Sequence, residues 1–389
     1  MQSKILFYKS RKIQGTMKLF FVCFATLFSI SEAFFARTQH HNFRLHMSEA
    51  SNLLYQEQEK LIVSRGELEE KIMSQKAKPI KASKVKVRGT GSAGGFGNTA
   101  GVGNKKASLN VEAKVHSKLL KRDGVVRIDN VLSSNVADSM REFAYNLRKK
   151  SEEEVEAGIA KPIQRFADVL LKKNRCDLTI PLGNEVVSDA LDEVLRISAV
   201  GRTIAAILGD DAVLYELSCL MSDPGSQRQV VHPDTPYIDG KGPILYTCFI
   251  ALQDIRLDMG PTTWLPGTHT AEAHEDFADT ASDPKSGESR KDALIRTKPA
   301  VLGTLSKGSC AIFDSRCLHC GTANKSQDSR ALFYFSFKSP QVGYPGNPPS
   351  IRAELGSAMV TLKALEEDLD IRSKENKQPL IDQLAATMR

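Results

Sequence analysis

The chain has no apolar run long enough to span a bilayer, which takes roughly 20 residues; its most hydrophobic stretch, within MKLFFVCFATLFSISEAFFA at 17–36, lasts only about a dozen and is interrupted by Ser and Thr. A membrane span is therefore not expected from it. No second CxxC accompanies Cys317 and Cys320, so a closed zinc site of four tightly spaced ligands is not expected. A thioredoxin-like role would need that CxxC at the start of a helix in a βαβ unit, and none is present. The seven cysteines (Cys23, Cys176, Cys219, Cys248, Cys310, Cys317 and Cys320) are expected as reduced thiols, because a chain of 389 residues needs no disulfides to fold. Acids and aromatics are both missing from KAKPIKASKVKVR, 76–88. Without rings to stack bases, this segment reads as a solvated basic linker and not as a nucleic-acid surface. In RGTGSAGGFGNTAGVG, 88–103, Gly89, Gly91 and Gly94 match GxGxxG. No buried strand precedes them and more glycine follows, which excludes a dinucleotide site and leaves a flexible linker.

What is present is an ordinary globular composition, 41% hydrophobic and 25% charged with a net charge of +7. Residues 17–36 have the lysine, apolar run and small residues of a signal peptide, with Met17 a plausible start. ARTQHHNFRLHMS, 36–48, is basic and acid-free, like a transit peptide. The combination, with Phe34 directly after Ala33, resembles the bipartite plastid presequence of diatoms and related algae; plain secretion or a signal anchor is the alternative. The expected organisation is a presequence at 1–47, an amphipathic helix and basic Gly-rich linker at 48–107, a folded domain at 108–345, and a helical tail at 346–389.

In the folded domain, VEAKVHSKLLKRDG reads as a helix and VVRIDNVL as a strand. Ser133 is an N-cap for a helix to about residue 152, and residues 185–210 keep helical periodicity. From residue 211 onward short apolar or alternating runs are separated by Gly, Pro and Asp, the pattern of antiparallel strands. Helices followed by many short strands predict an α+β, mainly β domain, a jelly roll braced by helices.

VVHPDTPY, 230–237, places His232 and Asp234 two residues apart. On an extended strand both would point to one side and share one metal ion. Two histidines and one carboxylate leave open positions, as in non-haem iron oxygenases. The second histidine must come from elsewhere: His269, His274 and His319 are the candidates. Arg330, which opens RALFYFSF, could grip a carboxylate through its guanidinium fork.

Four segments in order, HPD at 232–234, YTCFIALQDI at 246–255, GPTTWLPGTH at 260–269 and HCGTANKSQDSR at 319–330, resemble the phytanoyl-CoA dioxygenase family of Fe(II)- and 2-oxoglutarate-dependent oxygenases. The resemblance covers roughly residues 115 to 340. It implies a double-stranded β-helix, with His232, Asp234 and His319 as iron ligands and Arg330 on the far carboxylate of 2-oxoglutarate. Gln229, Thr247 and Phe249 are expected to line the cosubstrate pocket. Trp264, Pro266, Gly267 and His269 match a PGSH-like turn in which Thr268 replaces the usual serine, and His269 is expected to be structural. The implied activity couples conversion of 2-oxoglutarate and O2 to succinate and CO2 with hydroxylation of an unactivated C–H bond in a small molecule or lipid-derived substrate. The competing expectation is a non-catalytic binding or assembly protein on the same fold. Residues 274–300, long and polar, are read as a lid over the substrate side or as a solvated excursion.

Overall fold

The computed structural model describes residues 76–83, 99–167, 174–345 and 359–375, all of which belong to one compact unit, Ile62–Arg389. The presequence at 1–47, most of the amphipathic stretch at 48–76, and Gly89, Gly91 and Gly94 lie outside the described residues. No helix among the described residues is long and apolar enough to cross a membrane.

Two sheets face each other. The larger has six strands in the order β2 (Val125–Ile128), β8 (Cys310–Asp314), β5 (Leu245–Ala251), β10 (Arg330–Lys338), β4 (Val213–Ser222) and β3 (Arg175–Thr179). All its pairings are antiparallel. The smaller has β1 (Lys78–Pro79), β7 (Val301–Leu302), β6 (Thr262–Trp264) and β9 (His319–Gly321). The result is the expected jelly roll. Strand alternation sorts the side chains. On β10, Phe333, Phe335 and Phe337 point outward and are fully buried, beside Cys248, Ile250 and Ile312 of neighbouring strands. Each such ring contributes about 2–3 kcal/mol of hydrophobic burial. Leu332 and Tyr334 point inward, where they meet Phe249, Trp264 and Phe313.

Helices brace the outer face: α1 (Thr99–Asp123), α2 (Ser134–Glu156), α3 (Glu185–Leu191), α4 (Val200–Leu208) and α7 (Leu362–Glu375) all place residues in that outer core. Ser133 caps α2 as expected, its hydroxyl accepting the Val136 N–H at 3.4 Å. The helical pattern at 185–210 is interrupted by a π turn, Asp192–Ile197.

Four differences from the sequence expectation stand out. First, α1 begins at Thr99, inside the stretch read as a Gly-rich linker; extending a nucleated helix through a glycine costs only about 1 kcal/mol. Second, the basic segment is partly docked. β1 pairs in parallel with β7, Ile80 is buried, and the Lys76 ammonium donates to the carbonyls of Ile295, Arg296 and Lys298 at the end of α6 (Arg290–Thr297), where a helix favours a cation. Third, the tail helix α7 is not a plain surface helix, because Leu362, Leu365 and Leu369 lie on one face and are buried. Fourth, β3 falls where no strand was read.

Candidate active site

His232 sits on no regular strand. It forms an isolated bridge with His319, each N–H donating to the other's carbonyl at 2.9 Å. Pro233 holds the preceding residue extended, so the bridge needs no longer ladder. Asp234 then bends inward: the Ser315 carbonyl accepts the Asp234 N–H at 2.8 Å and the Thr235 N–H at 3.2 Å, and the two hydroxyls of Thr235 and Ser315 lie 2.6 Å apart. His319 opens β9 with its ring on the inner face, 5.0 Å from that of Phe313. The distant histidine thus reaches His232 through backbone pairing of their two segments.

Both imidazoles are oriented alike. The carbonyl two residues upstream takes the Nδ1 proton: Val230 for His232 at 2.8 Å, Cys317 for His319 at 2.9 Å. A carbonyl only accepts, so Nδ1 carries the hydrogen and Nε2 keeps its lone pair. The two Nε2 atoms lie 3.6 Å (His232) and 3.5 Å (His319) from Asp234 Oδ1. All three donor atoms fall within 4.8 Å of one another, the one such group of three among the described residues. Burial pulls His319 down to about 4, so its imidazole is neutral at physiological pH. Burial pushes Asp234 up to about 6, against the opposing pull of His232. Two imidazole Nε2 atoms converging on one carboxylate whose charge is costly to bury suit a divalent cation.

Beyond the metal-type cluster lies a cationic pocket. Arg330 is fully buried. Its Nη2 donates to Ser222 Oγ at 3.0 Å and its Nη1 to the Gly260 carbonyl, while Nε has no partner. Gly260 needs its left-handed φ of 71° and its missing Cβ, which would lie 2.4 Å from the Thr322 carbonyl oxygen. Arg175 is also buried; it donates to Gln229 Oε1 at 3.2 Å and to the carbonyls of Gln227 and Thr322, and its Nε is unpartnered. Burial lowers Arg330 to about 9, with the charge of Arg175 adding to the effect, and burial lowers Arg175 to about 10. Two buried guanidinium groups with no carboxylate in their hydrogen bonds form a site for an anion. The pocket lies at the Gly321 level of β9, two residues from His319. That is roughly 7 Å along a strand, the span of a short dicarboxylate.

The structure separates the other sequence candidates. Gln229 joins this pocket: its Oε1 accepts from Arg175 and from the Gly321 N–H at 2.9 Å. Thr247 and Phe249 face the interior, the hydroxyl 3.1 Å from Ser336 Oγ and the ring packed against Trp264, Phe313 and Tyr334. His269 contacts the Lys121 carbonyl at 3.2 Å and is outside the metal-type cluster. His274 is engaged by the Arg316 carbonyl at 2.8 Å and the Tyr237 N–H at 3.3 Å. Cys317 and Cys320 are fully buried and outside the cluster. Residues 274–300 are anchored by packing at their two ends. α5 (Ala271–Ala278) and α6 bury Ala273, Leu294 and Ile295 against Val231, Leu265, Leu318 and Cys320, on the face of the small sheet away from His319.

Arg175 was missed by the sequence reading, although RCDLTI carries a signal. Arg175, Asp177 and Thr179 alternate with Cys176, Leu178 and Ile180, and the apolar set faces the helices. The charged set therefore had to face the interior of the roll.

Fold and site define a class: a jelly roll with a His–Asp–His donor set and two buried guanidinium groups beside it, the arrangement that suits a non-haem metal oxygenase. The profile of the phytanoyl-CoA dioxygenase family matches residues 120–332, more than half the chain. The chain belongs to that family and is a 2-oxoglutarate-dependent oxygenase that uses iron. Solved structures similar to it include SnoK, a non-haem α-ketoglutarate-dependent carbocyclase from nogalamycin biosynthesis (19% identity, 61% of this chain and 92% of that one, TM-score 0.44). AviO1 from Streptomyces viridochromogenes (16%, 60% and 97%, 0.41) and HygX from Streptomyces hygroscopicus with nickel and 2-oxoglutarate bound (15%, 58% and 87%, 0.39) are also similar.

Proposed function

We propose that His232, Asp234 and His319 hold the Fe(II) ion, that Arg330 binds the far carboxylate of 2-oxoglutarate, and that the enzyme hydroxylates an unactivated C–H bond of a small-molecule or lipid-derived substrate. The observation that carries this reading is the convergence of three donor atoms within 4.8 Å. Bound there, iron with 2-oxoglutarate and O2 supplies the oxidising power: the oxo acid leaves as succinate and CO2, and one oxygen atom is available for the C–H bond.

The chain's own part is positioning and exclusion. Val230 and Cys317 hold the tautomers of the two histidines through their carbonyls. Ser315 fixes the bend that aims Asp234. Arg330 neutralises the far carboxylate, with Arg175 and Gln229 shaping its pocket and Thr247 and Phe249 on the inner wall. Phe249, Phe313, Trp264 and Tyr334 make an apolar wall that keeps water from the reacting atoms.

The test is anaerobic addition of 2-oxoglutarate to the Fe(II)-loaded protein, watching the weak metal-to-ligand charge-transfer band in the visible. The band is expected in the wild type, lost in His232→Ala and weakened in Arg330→Ala. Iron uptake well below one per chain with no band would sink the reading. The leader supports delivery to a plastid through the secretory route; residues 1–48 fused to a fluorescent protein test this, and secretion of the fusion would refute it.

A further inference from the structure

Trp264 is the single tryptophan of the chain, and three facts about it combine. It is 1% exposed, yet its indole Nε1–H has no hydrogen-bond partner. A buried unpaired donor costs about 1–3 kcal/mol, so it is retained where a ligand completes it. In the small sheet, Trp264 on β6 stands directly opposite His319 on β9. Directly paired residues share a face with their Cβ atoms about 5 Å apart. Both rings lie on the inner face, and both contact Phe313, at 5.6 Å and 5.0 Å between centroids.

The ring's direction is also fixed. A Cβ built on Gly303 would lie 2.7 Å from Cζ3 and 3.0 Å from Cη2 of Trp264. The benzo edge therefore presses on the backbone just after β7. Cζ3 and Nε1 stand on opposite sides of an indole, so this contact turns the N–H away from β7, into the interior that β6 shares with His319. Phe249, whose ring is 6.5 Å away, offers it no acceptor.

We infer that Trp264 is a cosubstrate-binding residue, whose indole N–H donates to an anionic oxygen of the 2-oxo acid beside the metal. This rests on the reading of the site given above. Arg330 would hold the far carboxylate and Trp264 the near end, so the two together require an acid of fixed length. Leu265 follows Trp264 and points to the other face, into the apolar cluster with Leu318. That packing anchors β6 and makes the indole a rigid donor.

The single tryptophan makes the test direct. The full chain, labelled with nitrogen-15 and loaded with Zn(II) as a diamagnetic stand-in for iron, gives one indole N–H resonance. Saturating 2-oxoglutarate is expected to move it downfield and slow its exchange with water. Trp264→Phe is expected to raise the 2-oxoglutarate Kd about tenfold by calorimetry, the worth of one hydrogen bond to a charged acceptor, with the Zn(II) affinity unchanged within about twofold. If 2-oxoglutarate binds, His232→Ala abolishes that binding and the indole resonance stays still, the donor is refuted while the site stands. If the Zn(II)-loaded wild type takes up no 2-oxoglutarate, the site reading and the donor fall together.

Discussion

Arg175 and Arg330 flank Ser222 from opposite sides: both are its direct cross-strand partners, one on β3 and one on β10. Two buried cations are thus held side by side with no carboxylate in their hydrogen bonds. Arrangements of this kind oppose folding and favour an anionic ligand. Arg330→Met should therefore stabilise the ligand-free protein, by about 1–3 kcal/mol, because it removes an unpaired buried charge and keeps the volume. The same variant should weaken 2-oxoglutarate binding at least about 30-fold, the effect of losing one partner of a buried charge pair. Thermal unfolding without ligand, beside calorimetry with 2-oxoglutarate, separates the two. A variant that loses stability would place Arg330 in the structural frame instead.

Gly321 should be intolerant of the smallest side chain. A Cβ there would lie 2.3 Å from Arg175 Nη1 and 2.7 Å from Gln229 Oε1. Gly321→Ala must push both away from β9 and loosen the pocket. The expected result is a KM for 2-oxoglutarate raised about three- to tenfold with kcat held within about twofold, the pattern of lost uniform binding. Steady-state kinetics on varied 2-oxoglutarate reads this; a fall in kcat alone would mean that the metal side is disturbed.

The insert at 274–300 separates packing from catalysis. Leu294 is buried among Leu265, Leu318 and Val231, on the face of the small sheet opposite His319. Leu294→Ala should cost about 2–4 kcal/mol of stability, the usual penalty for a buried leucine. KM for 2-oxoglutarate should not change at temperatures where the variant stays folded. Chemical denaturation and kinetics on one preparation decide between this and a lid, which would shift KM with little loss of stability.

Much of this site was legible because its chemistry is local in sequence. His232 and Asp234 flank a proline that fixes the backbone between them, and Arg330 opens an unmistakable apolar strand. The jelly roll was legible too, since period-two runs from residue 211 onward leave few alternatives. What stayed hidden depends on register and docking. Arg175 reaches the interior because β3 adds to the edge of β4, a pairing that local pattern does not reveal. The lysine-rich segment reads as linker by composition, yet one buried side chain, Ile80, and a parallel pairing tie it down. The polar insert reads as solvated or lid-like because the apolar residues that anchor it, Leu294, Ile295 and Ala300, meet their partners only in three dimensions.

Metal binding should carry the signature of Asp234. Burial raises its carboxyl to about 6, so below that pH the metal must displace a proton that an exposed aspartate would already have lost. His319 adds no such competition until about pH 4, where it first gains its proton. Affinity for Ni(II) or Fe(II), measured by calorimetry, should be nearly flat with respect to Asp234 above about pH 6.5 and fall by up to about tenfold per unit well below pH 6. The sign for stability follows from the same shift. A carboxyl with a raised pKa favours the fold fully below its unfolded value near 3.8 and loses that contribution as pH rises through about 6. The metal-free protein therefore bears the cost of the Asp234 charge at neutral pH, and a bound cation removes it. The gain in melting temperature on adding saturating metal should grow from about pH 5 to about pH 7. Equal gains at both would show that the Asp234 carboxylate does not face the ion.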